Sequence, residues 1–288
     1  MITVLSKETV NIRSRGLIIG SPMTGKTSLL NTINDERVIV LNYPGEPTKS
    51  IPIKDNIQAV IFTYDTLPED ATLQDRYMLS MQKYQDVLSV TGKILKGELG
   101  EFDIFFGDGV SSFYNTVIDI VTRGRYLQGD VFDTSPNATY STRLYQPAHT
   151  LFSGYIESIY NSTATTAIMT CWERLAIEDA NASMQKQKED IKSGERVWIP
   201  ALPGQMGVIG PGKFDWCIRT GFTHTMQCDT CQALTRAGRG KDRVDGQHHT
   251  LQLMPNSDVQ CVGIKGARMR RIPTFIHQEW SHLKGFIS

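Results

Sequence analysis

Eight consecutive residues, Gly20-Ser21-Pro22-Met23-Thr24-Gly25-Lys26-Thr27, match the pattern G-x-x-x-x-G-K-[ST] without a mismatch. The chemistry of that pattern is phosphate binding. Its glycines let backbone N–H groups turn inward around phosphate oxygens, and a helix starting behind them adds positive potential. Lys26 would reach the β- and γ-phosphates, the Thr27 hydroxyl would hold Mg²⁺, and Ser28 completes the predicted nucleotide-binding set. The pattern carries this meaning only between a strand and a helix. Gly16-Leu17-Ile18-Ile19 in front is short, apolar and β-branched, and Ser28 to Ile33 behind has helical spacing. A bound nucleoside triphosphate is the expectation; an ordinary Gly-rich turn is the alternative.

Such a loop needs an acid at the tip of a neighbouring parallel strand to hold Mg²⁺. Asp108 ends the run Phe102-Asp103-Ile104-Phe105-Phe106-Gly107-Asp108 and is the candidate, with a helix-capping Asp as the competing reading. Asp103 stands at the wrong end of that strand. A base that orients the attacking water belongs at another strand end. Glu46, in the loop Asn42-Tyr43-Pro44-Gly45-Glu46-Pro47, and Glu173, after Ala167–Cys171, both qualify, and either could be a plain solvated loop acid. Thr170, at the tip of that last strand, is a candidate polar sensor of the γ-phosphate. The basic, Gly-rich stretch from Leu234 to Gly246 includes Lys241 and Arg243, which suit a charge delivered to a neighbour's γ-phosphate or a nucleic-acid backbone.

The elements that must position these groups alternate. Arg37–Leu41 is a continuous apolar run of the kind buried in parallel sheets, and Gln58–Tyr64 reads as another strand. Helical spacing runs over Leu73–Leu95, Ser112–Val121 and His149–Tyr160, and Thr165–Trp172 is a further strand. Residues 123–147 read as an insertion or mobile loop. Asp215–Thr220, Thr230–Thr235, Thr250–Leu253 and Gln260–Ile264 are candidate strands of a β-rich C-terminal third. The expected organisation is a lead-in strand within 1–13, an α/β domain over 14–264 and a basic tail over 265–288.

Composition bounds the rest. With 288 residues, 40% hydrophobic and 21% charged, the chain is globular rather than disordered. Thirty Lys+Arg balance thirty Asp+Glu, so any basic surface must be local. Five scattered cysteines suit a reducing cytoplasm, and neither a signal pattern nor a run of about 20 apolar residues is present. The expected setting is cytoplasmic, without membrane. Cys228-x-x-Cys231, with His224 before it and His248-His249 after it, has the residue types of a zinc site, although a strand cysteine is commonly a small apolar residue.

Together, Gly20–Thr27, the Asp108 strand with Ser111-Ser112 behind it, Pro200–Gly204 leading to Phe214-Asp215, and Lys241-Asp242-Arg243 resemble the RecA/RadA class of P-loop ATPases. The closer likeness is to compact phage ATP-binding (AAA-domain) and single-strand annealing proteins. The resemblance covers most of residues 14–250. It implies a RecA-like core: a mainly parallel central sheet flanked by helices. It also implies ATP and Mg²⁺ as cofactors, and a homo-oligomeric ring or filament with ATP at subunit interfaces. Further implications are single-stranded DNA as partner in recombination, annealing or replication, a single-strand binding protein or other replication partner, and a host cytoplasm. In such proteins a Glu after the second strand orients water, which favours Glu46. Lys241 and Arg243 would act across the interface; Asp242 replaces the Asn of the family's Lys-Asn-Arg motif. The family's DNA loops map onto Ala180–Trp198 and Gly204–Lys213, with Lys186, Lys188, Lys192, Arg196 and Trp198 as candidates. Acids match the bases there, so a solvated helix is equally open. Lys265, Arg268, Arg270 and Arg271 form a second basic cluster suited to DNA or to a neighbouring subunit. A nucleotide-dependent scaffold or loader that acts on a protein partner without DNA is the reading from another class.

Overall fold

The computed structural model describes residues 14–49, 51–129, 142–162, 166–177, 196–202, 210–224, 228–230, 232, 247–255, 262–264 and 272–287. Strand β1 (Arg15–Gly20) carries the phosphate-loop motif at its carboxyl end and lies inside a ten-stranded sheet. The sheet continues with β2 (Val38–Asn42), β3 (Ile57–Ile61), β4 (Ile104–Asp108), β5 (Thr166–Ile177), β6 (Arg196–Pro200), β7 (Trp216–His224), β8 (Gln247–Gln252), β9 (Gly263–Ile264) and β10 (Phe275–His277). Its order is β10-β8-β7-β1-β5-β4-β2-β3, with β6 on β5 and β9 on β7. The stretch β7-β1-β5-β4-β2-β3 is parallel throughout; β8, β10, β6 and β9 pair antiparallel.

Central parallel strands are covered on both faces, so they are apolar at every position rather than at alternate ones. Every residue of β2 and β4 is buried. The pleat then sorts neighbours to opposite faces. Leu17, Ile19, Ile39, Leu41 and Phe105 enter one core with the helices α1 (Leu73–Leu95), α2 (Val110–Leu127) and α3 (Thr142–Ser162). Ile18, Val38, Val40, Ile104 and Phe106 enter the other, with Leu29, Leu30, Trp280, Leu283 and Ile287. The fold is a mixed α/β sandwich of helix, sheet and helix.

Local signals set the element ends. Helix α1 starts at a capping box: Thr72 Oγ1 accepts from Asp75 N at 3.1 Å, and the Asp75 carboxylate accepts from Thr72 N at 2.9 Å. Other ends differ from expectation. The segment after the loop is a 3₁₀ helix of six residues, Thr27–Thr32, rather than a longer α-helix. Strand β3 stops at Ile61, short of Tyr64, and β5 runs on to Ile177.

The expected insertion at 123–147 narrows. Arg123–Leu127 belongs to α2, and Thr142–Pro147 is already α3, with Pro147 inside that helix. Residues 130–141, the lead-in 1–13 and Ala180–Glu195 lie outside the described residues. Asp229, Thr230 and Gln232 are helical where a strand over Thr230–Thr235 is expected. Tyr155 of α3 is 3% exposed, and its hydroxyl pairs with that of Tyr43 at 2.8 Å inside the main core.

Residues 272–287, expected as part of a basic tail, hold β10 and the helix α4 (Trp280–Ile287). Trp280, Leu283 and Ile287 cover the second sheet face, where a 3₁₀ helix of six residues is too short to cover it alone. Trp280 N donates to Thr32 Oγ1 at 2.8 Å and fastens α4 to that segment. Among the described residues, no helix is long and apolar enough to cross a membrane.

Candidate functional site

The motif residues gather where β1, β2, β4 and β5 present their carboxyl ends, the edge of an open α/β sheet at which ligands bind. The register levels the tips: Asn42 faces Asp108, Ile18 faces Thr170, and Gly20 faces Trp172. The chain enters β1 between β5 and β7 and then crosses outward to β2, so the loop sits where the winding reverses.

Asp108, 4% exposed, is the hub. Its Oδ2 accepts from Thr27 Oγ1 at 2.8 Å, and its Oδ1 accepts from Thr170 Oγ1 at 2.6 Å. Thr170 Oγ1 in turn accepts from Gly109 N at 2.8 Å. Burial pushes the Asp108 carboxyl above its usual range, and the two hydroxyl bonds and the Lys26 charge counter that only in part. A hydroxyl and a carboxylate joined in this way are oxygen donors of the type Mg²⁺ takes.

Lys26 is 8% exposed and folds back over its own loop, donating to Gly20 O at 2.8 Å and Ser21 O at 2.9 Å. Burial lowers its pKa, while Asp108, Glu173 and Glu46, with Cys171, act to raise it. The loop's shape depends on Gly25 at φ +89°: a Cβ there would meet Gln278 Nε2 at 2.7 Å and His249 Nδ1 at 3.1 Å. Gln278 donates to Gly25 O, and His249 Nδ1 lies 3.2 Å from Thr24 O. Thr24 Oγ1 also pairs with Thr220 Oγ1 of β7 at 2.8 Å. Met23, at the loop tip, is 93% exposed.

Glu46 reaches the site from the loop after β2. Its Oε1 accepts from Ser112 Oγ, and Asn42 Nδ2 donates to its carbonyl at 3.2 Å. The side chain passes over Gly109, whose φ of +84° and missing Cβ both matter, since a Cβ would lie 1.9 Å from Glu46 Cγ. Burial raises the Glu46 carboxyl, offset in part by Ser112. A partly buried carboxylate of raised basicity has the character of a general base.

Glu173 is built differently. Its side chain is fully buried, Arg219 Nε and Nη2 grip its two oxygens at 2.6 and 3.0 Å, and Oε1 also accepts from Ser21 N at 3.0 Å and Ser21 Oγ at 2.7 Å. With both oxygens engaged, Glu173 clamps the Gly20–Thr27 loop to β5 and β7. Thr170 likewise holds Asp108 and Gly109. These engagements fit positioning roles for both residues, and they leave Glu46 as the strand-end acid with lighter duties.

Structure thus brings together Lys26, Thr27, Glu46, Asp108, Thr170 and Glu173. Lys241, Arg243, Lys186, Lys188, Lys192, Lys265, Arg268, Arg270 and Arg271 lie outside the described residues; Arg196 contributes backbone to β6, and Trp198 lies 5.3 Å from the Arg219 guanidinium. Sequence reasoning missed Arg219, Thr220 and Gln278; it named Ser112 only as part of the resemblance and His249 only among the zinc residue types. One signal was present for Arg219, a cation directly after the apolar run Trp216-Cys217-Ile218. A cleft of about 700 Å³ beside Tyr64, Tyr77 and Met78 lies at another edge and contains none of the loop's partners. The chain matches no protein-family model and no curated protein.

Proposed function

We propose that this chain is a Mg²⁺-dependent ATPase with a RecA-like core that oligomerises and acts on single-stranded DNA in phage recombination, annealing or replication. The observation that carries the catalytic half is the Thr27–Asp108 hydrogen bond at 2.8 Å, with Lys26 beside it: the residues a phosphate loop needs meet at one sheet edge. The loop's N–H groups would surround the phosphates. Lys26 would exchange Gly20 O and Ser21 O for phosphate oxygens, and Thr27 and Asp108 would hold the cation, which neutralises charge developing on the transferred group. Glu46 would take a proton from, or orient, the attacking water. Glu173 and Arg219 would keep the loop fixed while Lys26 moves. The RecA-like assignment draws support from a parallel sheet with the loop strand in its interior and from the strand-end Asp108, one strand removed across β5.

DNA binding, the Lys241 and Arg243 contribution across an interface, and assembly rest on the resemblance. The test is ATP turnover with and without single-stranded oligonucleotide at low and moderate salt. DNA stimulation that fades with salt supports the reading, because neutralising phosphates releases counterions. Lys26→Ala should abolish turnover; unchanged hydrolysis in that variant sinks the ATPase assignment. The balanced charge, thirty bases against thirty acids, favours a second reading as a nucleotide-dependent scaffold or loader. Turnover indifferent to DNA, together with salt-insensitive capture of a protein partner, would favour it.

A further inference from the structure

We propose that Cys228, His248 and His277 bind a zinc ion, and that this ion braces the strand pair against which the phosphate loop rests. The three come from separate places: a short helical turn, β8 and β10. Their ligating atoms lie within 4.8 Å of one another, with Cys228 fully buried and both imidazoles half-buried. Ligands around a tetrahedral zinc, at about 2.0–2.3 Å from the ion, stand roughly 3.5 Å apart, so small side-chain rotations bring these three to ligand spacing and leave the fourth position to water. A thiolate with two imidazoles is a soft donor set suited to zinc rather than to Mg²⁺ or Ca²⁺.

The backbone around the cluster is tied down. Asp229 Oδ2 accepts from Thr274 N at 2.9 Å and Phe275 N at 3.2 Å, and His277 N donates to Thr230 Oγ1 at 3.4 Å. The turn that carries Cys228 is therefore fastened to β10 before any ion binds. Glu279 Oε1 lies 3.7 Å from His277 Nδ1, so a carboxylate stands beside this imidazole. His277, Glu279 and His282 form a rival trio, but it is more exposed, lacks a thiol and shares His277. The sequence also has Cys231 at Cys-x-x-Cys spacing, which lies outside the described residues.

Each imidazole ligand is followed at once by a residue that touches the phosphate loop. His249 Nδ1 meets Thr24 O at 3.2 Å, and Gln278 donates to Gly25 O. Successive residues of β8 point to opposite faces, and Gln278 directly follows the last residue of β10, so a metal that holds His248 and His277 would fix the adjoining loop contacts. Leu251 and Ile276, in phase with His249 and Gln278, share the second core, which agrees with that alternation. The ion site is independent of the nucleotide reading; its effect on the loop rests on that reading.

The test is zinc content of the full chain, purified without a histidine tag, followed by Co²⁺ substitution. About one zinc per chain and a thiolate-to-cobalt charge-transfer band are expected. Cys228→Ser should lose the band, Cys228→Ser and His248→Ala should each lose most of the zinc, and His282→Ala should keep it. No zinc and no cobalt–thiolate band in the unmodified chain overturns the site, and this readout holds even if Cys228→Ser fails to fold. Zinc retained in both Cys228→Ser and His248→Ala, or lost in His282→Ala, overturns it as well. Removal of the ion should weaken ATP binding about tenfold. Unchanged affinity overturns the brace while the site stands, and a chain that binds zinc but no nucleotide refutes the ATPase reading alone.

Discussion

Arg219 and Glu173 form a bidentate ion pair at 2.6 and 3.0 Å, and the same carboxylate holds Ser21 at the start of the phosphate loop. The pair joins β7 to β5 across β1, so the loop is clamped by the strands on either side of its own. Removing one partner of a buried pair strands the other charge, which costs about 3–5 kcal/mol. Arg219→Ala should therefore lower unfolding stability by about that amount and weaken nucleotide binding, with Arg219→Lys in between. Urea unfolding measures the first and nucleotide titration the second. A loss below about 1 kcal/mol would show that Glu173 is not held by Arg219 in solution.

The base role proposed for Glu46 predicts a pH dependence. Its pKa is raised by burial, and a base works only when deprotonated, so turnover should fall as pH drops through a value above the usual glutamate range. Glu46→Gln should reduce kcat by about 10²–10⁴-fold and abolish that acid limb, with KM for ATP nearly unchanged. If Glu46→Gln keeps the acid limb, another group is the base.

At Asp108, function and stability should oppose each other. A carboxyl whose folded pKa is raised stabilises the fold fully below its unfolded pKa, and that contribution is lost as pH rises through the folded value. Asp108→Asn removes the buried charge and can still bond Thr27 and Thr170. Without nucleotide, the variant's melting temperature should gain on the parent as pH rises through the raised pKa. Turnover should drop by roughly 10²-fold or more, since the proposed Mg²⁺ site would lose its carboxylate. A melting difference that stays flat with pH would refute the raised pKa.

Leu283 is fully buried in the second core, although it lies within the stretch expected as a tail. Leu283→Ala should cost about 2–5 kcal/mol, the range for a buried leucine. Chemical denaturation reads it directly. A cost near zero would mean that α4 is detached in solution.

Much of the site was legible because its signals are local. The glycine–lysine motif, the apolar run ending at Asp108 and the acid behind β2 each depend on a few adjacent residues whose conformational needs are narrow. The span of α1 was legible from its helical spacing over Leu73–Leu95, while its capping box at Thr72 and Asp75 emerged from the structure.

The Gly20–Thr27 motif and the α/β alternation were determined by the sequence alone, since residue type and spacing suffice for both. Tertiary structure decided how the groups share the work. Asp108 receives Thr27 and Thr170 from positions 81 and 62 residues away, and Glu173 receives Arg219 from 46 residues away. No local pattern encodes such a meeting, because it depends on strand order and register. The same holds for the C-terminal stretch: its polar residues mask an apolar stripe of Trp280, Leu283 and Ile287, which has meaning only once a bare sheet face lies opposite it.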